Sequence, residues 1–454
     1  MCSKADPPSP PADWKGVPVT DVPRRAAQRT AKLASLPLGA AGRVAAGWGK
    51  RLTGQDAATV SADFSTRTAE QLFAVLGQLK GGAMKFGQAL SVFEAAVPDE
   101  LAEPYRQALS KLQATAPPMS EASVRRTLDE QLGSDWHRRF AEFDDSPTAA
   151  ASIGQVHRAV WHDGREVAVK IQYPGADEAL RSDLRQLMRF SRLFQSLLPG
   201  AEIKPLLNEL QDRMVEELDY RIESDNQRAF AAAFADDELV RVPGVVASSP
   251  KVMVTEWVSG EPFAEIIENG SREQRDRAGR LLSEFHFSSP ARVGLLHADP
   301  HPGNFRMLPD GRLSVIDFGA VARLPEGLPT TLGRMLRLAL EDRSEELMDL
   351  LRTDRFVQTD SALRAEDVQA YLGPFVDPVR TETFHFTRAW LQYQADRVGD
   401  LRSPEFRTGR SLNLPPDYLL IHRVTLGATG ILCQLDAEVA AREIIATWQP
   451  GFLD

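Results

Sequence analysis

Cysteine is almost missing from this chain: two stand in 454 residues, Cys2 and Cys433, at opposite ends. That excludes a disulfide framework or a cysteine metal motif and agrees with a reducing cytoplasm. Long apolar runs are missing as well. No stretch approaches the roughly 20 apolar residues that cross a bilayer, and no apolar segment follows the early charges, so neither secretion nor spanning is expected. Acids are missing in one place. Between Asp21 and Asp56 stand seven cations, Arg24, Arg25, Arg29, Lys32, Arg43, Lys50 and Arg51, without an acid, although the whole chain carries a net charge of -10. The remainder is therefore distinctly acidic, which opposes nucleic-acid binding. Residues 1–60, Pro-rich and then basic, are expected to form a flexible tail with no core. Its basic part, with Leu33, Leu36, Leu38, Val44 and Trp48, could lie on an anionic membrane surface or stay solvated.

What is present points to phosphoryl transfer. The run His297-Ala298-Asp299-Pro300-His301-Pro302-Gly303-Asn304-Phe305 is followed by Ile316-Asp317-Phe318-Gly319. The step from Asp299 to Asn304 has the spacing of a kinase catalytic loop, and Asp317 takes the metal-binding Asp-Phe-Gly position. Asn304 and Asp317 offer oxygen to magnesium, a hard ion that keeps several waters while gripping ATP phosphates. Asp299 is the candidate to orient or deprotonate the acceptor.

Upstream, Glu166-Val167-Ala168-Val169-Lys170 alternates like a strand and ends in a lysine placed to hold the α- and β-phosphates, with Ala168 beside it. Before it, Ala149, Ala150, Ala151, Ser152, Ile153, Gly154, Gln155 and Val156 stand where a glycine-rich loop would cover the phosphates. Glycine is scarce there. Alanine's Cβ disfavours positive φ and keeps backbone from a ligand, so the segment would embrace a triphosphate differently, or serve as a tight strand turn. The strand from Lys251 to Thr255 leads to Glu256, Trp257 and Val258, a hinge whose backbone groups could receive adenine.

These motifs, with Lys85-Phe86-Gly87-Gln88 ahead of them and Glu217-Leu218-Asp219-Tyr220 between Lys170 and His297, resemble the UbiB/AarF (coenzyme Q kinase-like) family of atypical kinases over residues 70–330. The resemblance implies an α+β, two-lobed kinase-like fold. It divides the chain into the tail (1–60), a helical extension with the Lys-x-Gly-Gln helix (61–140), an N-lobe with a helical insertion (141–258) and a mainly helical C-lobe (259–454). About 46 residues separate Lys170 from Glu217, enough for inserted helices. By position Glu223 is the partner of Lys170, and one acidic helix would carry Glu217, Asp219 and Glu223, the last two four apart on one face. The resemblance gives Lys85, Gln88, Glu217 and Asp219 a regulatory place, with the Lys85 helix over the active site as a plug.

Two further absences bear on the substrate. Ala298 replaces the arginine that reads activation-loop phosphate in many protein kinases, and Leu324-Pro325-Glu326 follows Gly319 too closely for a peptide-docking segment. The expected output is phosphotransfer to a small molecule or lipid, or ATP hydrolysis, with ATP or ADP and magnesium as cofactors and quinone or lipid metabolism as the implied setting. Peripheral contact with the inner membrane surface from the cytoplasm is expected through the tail. A small-molecule kinase of the aminoglycoside or choline type and a silent nucleotide-binding scaffold stand as alternatives.

Overall fold

The computed structural model describes residues 118–151, 153–178, 218–358, 361–400 and 402–453. The expectations for the tail, for most of the helical extension and the insertion, and for Lys85, Gln88, Ser152 and Glu217 lie outside these residues. The chain divides into two compact units. The described residues up to Tyr220, with Val246–Glu256, form the first; Arg221–Val245 and the residues from Trp257 onward form the second.

The first unit opens with α1 (Glu121–Leu132), whose N-cap Ser120 accepts a hydrogen bond from the Ser123 N–H. A sheet follows. Its strands are β1 (Phe140–Phe143), β2 (Ala149–Ala151), β3 (Gly154–Trp161) and β4 (Glu166–Gln172). After β5 (Val240–Arg241), which belongs to the second unit, come β6 (Val245–Ser248) and β7 (Val252–Glu256), giving the order β1-β3-β4-β7-β6 with β2 on β3. Side chains alternate across a strand, and β4 shows why it sits centrally. Val167, Val169 and Ile171 are fully buried against Val124, Leu128, Trp136, Phe140, Val252 and Val254, while Ala168 and Lys170 occupy the opposite face. The two-period pattern read from Glu166 to Lys170 is thus a real strand.

The second unit is mainly helical, as expected for a kinase-like large lobe. It takes in α2 (Tyr220–Ala233) from Arg221 on, the short β8 (Glu261–Pro262), α3 (Phe263–Asn269) and the long α4 (Arg272–Val293). Next come β9 (Leu295–His297), β10 (Phe305–Met307), β11 (Leu313–Val315) and β12 (Val321–Arg323). One sheet runs β5-β11-β10-β8, and β9 pairs separately with β12. The rest is α5 (Thr330–Leu340), α6 (Ser344–Thr353), α7 (Ala365–Arg380), β13 (Phe384–His385), α8 (Arg388–Gly399), α9 (Pro404–Ser411), α10 (Pro416–Leu435), β14 (Glu438–Val439) and α11 (Ala441–Trp448). Phe230, Phe285, Phe305 and Phe318 are buried together with Ile431 and Leu435 in its main core.

Two expectations need correction. The acidic helix does not hold Asp219: α2 starts at Tyr220. The cause is local, since the Leu218 carbonyl accepts from Gln172 Nε2 at 3.1 Å and the Tyr220 N–H donates to the Pro250 carbonyl at 3.0 Å. Asp219 therefore precedes the helix, where aspartate is favoured, and shares no helix face with Glu223. The second correction concerns apolar runs. Tyr418–Leu435 of α10, with mean hydropathy 1.2, is long and apolar enough to cross a membrane by length and composition, and 56% of it is buried within the protein. Its ambiguity is the ordinary one of a core helix.

Burial also fixes a pH dependence. His286 on α4 lies 5% exposed, 3.4 Å from Thr425 Oγ1 on α10. Desolvation, helped by neighbouring His297, lowers its pKa from 6.5 to about 4. His157 and His422 are lowered by burial too. A histidine with a lowered folded pKa binds fewer protons in the native state. Its contribution is complete above the unfolded value of 6.5 and is lost as pH falls toward about 4. We expect His286 alone to remove about 2 kcal/mol of stability by about pH 5. Denaturant titrations at neutral and mildly acidic pH check this, and the slope should shrink in His286→Gln.

Candidate active site

The predicted residues divide between the two units. In the first, Lys170 projects from β4, paired with Val156 of β3 and Met253 of β7. Its Nζ stands 5.0 Å from the ring centroid of Tyr220, which is 1% exposed. Such a cation–π contact attracts the charged end and limits its directions. Tyr220 was legible only as part of a motif; its use as a platform for Lys170 depends on α2 beginning beside β4 and was not.

The alanine segment is a hairpin. Ala149, Ala150 and Ala151 form β2, antiparallel to β3 and in register with Val156, Gln155 and Gly154. Gly154 has a packing reason to be glycine: a Cβ there would lie 2.2 Å from the Ile171 carbonyl oxygen and 2.9 Å from the Tyr220 hydroxyl. Gln155 is similarly committed. Its Oε1 accepts from the Met119 N–H at 2.8 Å, and its amide nitrogen meets His157 Nε2 at 2.8 Å. His157 Nδ1 donates to the Asp144 carbonyl at 2.8 Å, so the ring is neutral with its proton on Nδ1. Ile153 is buried. Any ligand contact at Ile153 or Gln155 would come from backbone.

In the second unit the catalytic-loop sequence closes on itself. The Asn304 amide donates to the Asp299 carbonyl at 3.0 Å and to its Oδ2 at 3.1 Å. The His301 N–H donates to the Asp299 carbonyl at 2.8 Å, and the Asn304 N–H to the His301 carbonyl at 2.9 Å. His301 Nδ1 accepts from the Gly303 N–H at 3.1 Å. Pro302–Asn304 forms a single tight helical turn, so the five-residue step brings amide and carboxylate together. Asn304 Nδ2 serves Asp299, which leaves Oδ1 as the atom suited to a cation. Asn304 is 7% exposed, while Asp299 and Asp317 are half-buried.

Asp317 is held from several sides. Its Oδ1 accepts from the Gly319 N–H at 2.9 Å, and its carbonyl accepts from His297 Nε2 at 2.7 Å. Phe318 is fully buried, its ring 4.8 Å from Phe230 and 5.6 Å from His297, and its carbonyl accepts from Asn226 Nδ2 at 3.1 Å. Sequence reasoning did not find Asn226; the only available signal was its position one turn after Glu223. Glu223 itself is 6% exposed in the first turn of α2. Asp219 is half-buried, and Ala168, Glu256, Trp257 and Val258 lie on β4 or at the end of β7 as expected. Among the described residues no three His, Cys, Asp or Glu side chains gather as a protein metal cage. Magnesium shared with nucleotide phosphates needs no such cage, and the amide-plus-carboxylate oxygens of Asn304 and Asp317 fit its preference.

Residues 111–351 match the ABC1 atypical kinase-like domain. The chain belongs to that family. The UbiB/AarF resemblance is thereby borne out, and the chain is 32% identical over 272 residues to AarF domain-containing protein kinase 1 of Mus musculus, covering 57% of this chain and 50% of that protein. It is also 32% identical over 282 residues to the atypical kinase coq-8, mitochondrial, of Caenorhabditis elegans, covering 60% of this chain and 37% of the relative. The chain thus spans half or less of the length of these curated relatives. Among solved structures it is similar to Rv3197 of Mycobacterium tuberculosis in complex with erythromycin, 49% identical with a TM-score of 0.69, over 88% of this chain and 100% of that one.

Proposed function

We propose that this ABC1-family chain is a magnesium-dependent ATPase or phosphotransferase acting on a small molecule or lipid, in isoprenoid-quinone or lipid metabolism. One observation carries the choice against protein substrates. Between Gly319 and the start of α5 at Thr330 the chain forms β12, pairing Val321, Ala322 and Arg323 with His297, Leu296 and Leu295 of β9. The segment that would present a peptide platform is a short strand tied to the catalytic loop. In this reading Lys170 holds the phosphates, Glu223 orients Lys170, and Asn304 with Asp317 hold magnesium, which when bound neutralises phosphate charge. Asp299 orients or deprotonates the acceptor. Because the transition state is loose, positioning and charge stabilisation do most of the catalysis. Lys85, Gln88, Glu217 and Asp219 would govern access, and the basic tail would bring the protein to an anionic inner membrane surface from the cytoplasm.

ATP turnover measured with anionic vesicles, quinone head-group analogues and a peptide library tests this. Stimulation by vesicles or head groups is expected, and peptide phosphorylation as the dominant activity would overturn it. A second reading is favoured by the erythromycin complex of the 49% identical chain: a macrolide is a ligand or acceptor of this protein. Calorimetry with erythromycin, with and without Mg-ATP, supports that reading if the two affinities are coupled; no heat in either case removes it.

A further inference from the structure

The Asp-Phe-Gly segment is fixed by its backbone at two successive carbonyls. His297 Nε2 from β9 donates to the Asp317 carbonyl at 2.7 Å, and Asn226 Nδ2 from α2 donates to the Phe318 carbonyl at 3.1 Å. His297 is 3% and Asn226 7% exposed, so little water is at hand to replace either bond. α2 grips the same residue a second time, because Phe230 lies four residues after Asn226 and packs its ring 4.8 Å from that of Phe318. Glu223, Asn226 and Phe230, at i, i+3 and i+7, therefore form one stripe of α2. An amide suits this place. A leucine would leave the Phe318 carbonyl without a donor, a carboxylate would face a carbonyl oxygen, and a lysine would bring a charge into a buried position.

We propose that Asn226 is a positioning residue for the metal-binding carboxylate of Asp317. Its amide ties the Phe318–Gly319 peptide to α2, and the N–H of that same peptide holds Asp317 Oδ1, so that the magnesium response of the nucleotide site depends on α2 holding its place. Without the bond, the Phe318 carbonyl can turn toward another donor, and rotation of that peptide turns the Gly319 N–H away from Asp317 Oδ1, which frees the carboxylate from the direction Gly319 sets. The inference rests on the magnesium–nucleotide reading above and assigns Asn226 no contact with either ligand.

The test uses the full chain and ATP, titrated calorimetrically with magnesium and with EDTA. Asn226→Leu, close in volume but without a donor, should lose about tenfold of the magnesium-dependent gain in affinity, while binding in EDTA stays within about twofold of the unchanged protein. Asn226→Asp keeps the shape and adds a pH signature. At about pH 8 its carboxylate repels the carbonyl and the gain is lost; at about pH 6 the buried carboxyl is protonated, donates, and restores the gain relative to the unchanged protein. A merely structural role would lower both affinities together and show no acid recovery. If Asn226→Leu does not fold, the two pH values for Asn226→Asp decide. Variants that keep the full magnesium gain at every pH, beside an unchanged protein that shows it, overturn this inference alone. An unchanged protein with no magnesium-dependent gain overturns the underlying reading and this inference with it.

Discussion

Asp317→Asn should weaken magnesium-dependent ATP binding on the order of a hundredfold or more and leave metal-free binding and the melting temperature nearly unchanged. The size follows from what is removed. Loss of an outer partner of a metal ligand typically costs about 10- to 100-fold in affinity, and here a charged ligand itself is neutralised. The selectivity follows from what remains. Asparagine is isosteric, its Oδ1 can still accept from the Gly319 N–H now at 2.9 Å, and the backbone bond from His297 to the Asp317 carbonyl does not involve the side chain. Calorimetry in magnesium and in EDTA, with a melting curve for each, separates the two effects. Equal magnesium dependence in both proteins would remove Asp317 from the metal site.

That expectation was open to sequence reasoning because the chemistry lies in short, local strings. Asp299 and Asn304 are brought together by one tight turn, so their spacing predicts their contact, and Val167 to Lys170 declares its two faces by alternation. The mainly helical second unit and the short stretch after Gly319 were legible for the same reason. The contacts that were not legible join distant segments. Asn226 and Phe318 are 92 residues apart, and nothing in either neighbourhood marks the bond between them. Gln155 looked like part of a phosphate loop, yet its side chain is used by Met119 and His157, a commitment fixed by the path of the chain before α1. Asp219 was misplaced through assuming that an acidic run continues one helix, whereas the carbonyl of Leu218 is captured by Gln172 from another strand. Propensity could not choose between these, because the competing hydrogen bond comes from tertiary structure.

The alanine segment supplies the other large expected effect, through its one glycine. Gly154→Ala should destabilise the protein by about 3 kcal/mol and impair ATP handling, although a single methyl group is added. The new Cβ would sit 2.2 Å from the Ile171 carbonyl oxygen, a backbone atom held within the β3–β4 ladder, and cannot be accommodated by turning a side chain. Relief requires β3 to separate from β4 or β4 to shift. Ile171 follows Lys170 directly, and the Tyr220 hydroxyl lies 2.9 Å from the same Cβ position, so either movement disturbs the lysine and the ring beneath it. Stability and nucleotide binding should therefore fall together in this variant, unlike Asp317→Asn. Gly373→Ala is the comparison: it lies inside α7 with nothing beyond its own helix neighbours within 4 Å of its Cβ position, and only the following Pro374 crowds it, so alanine there should stay within about 1 kcal/mol of the parent. Denaturant unfolding of both variants decides the packing argument, and ATP titration of Gly154→Ala decides its reach to Lys170. A Gly154→Ala protein as stable as its parent would mean that β3 and β4 part at little cost, and the hairpin of alanines would then owe its glycine to the ligand it covers.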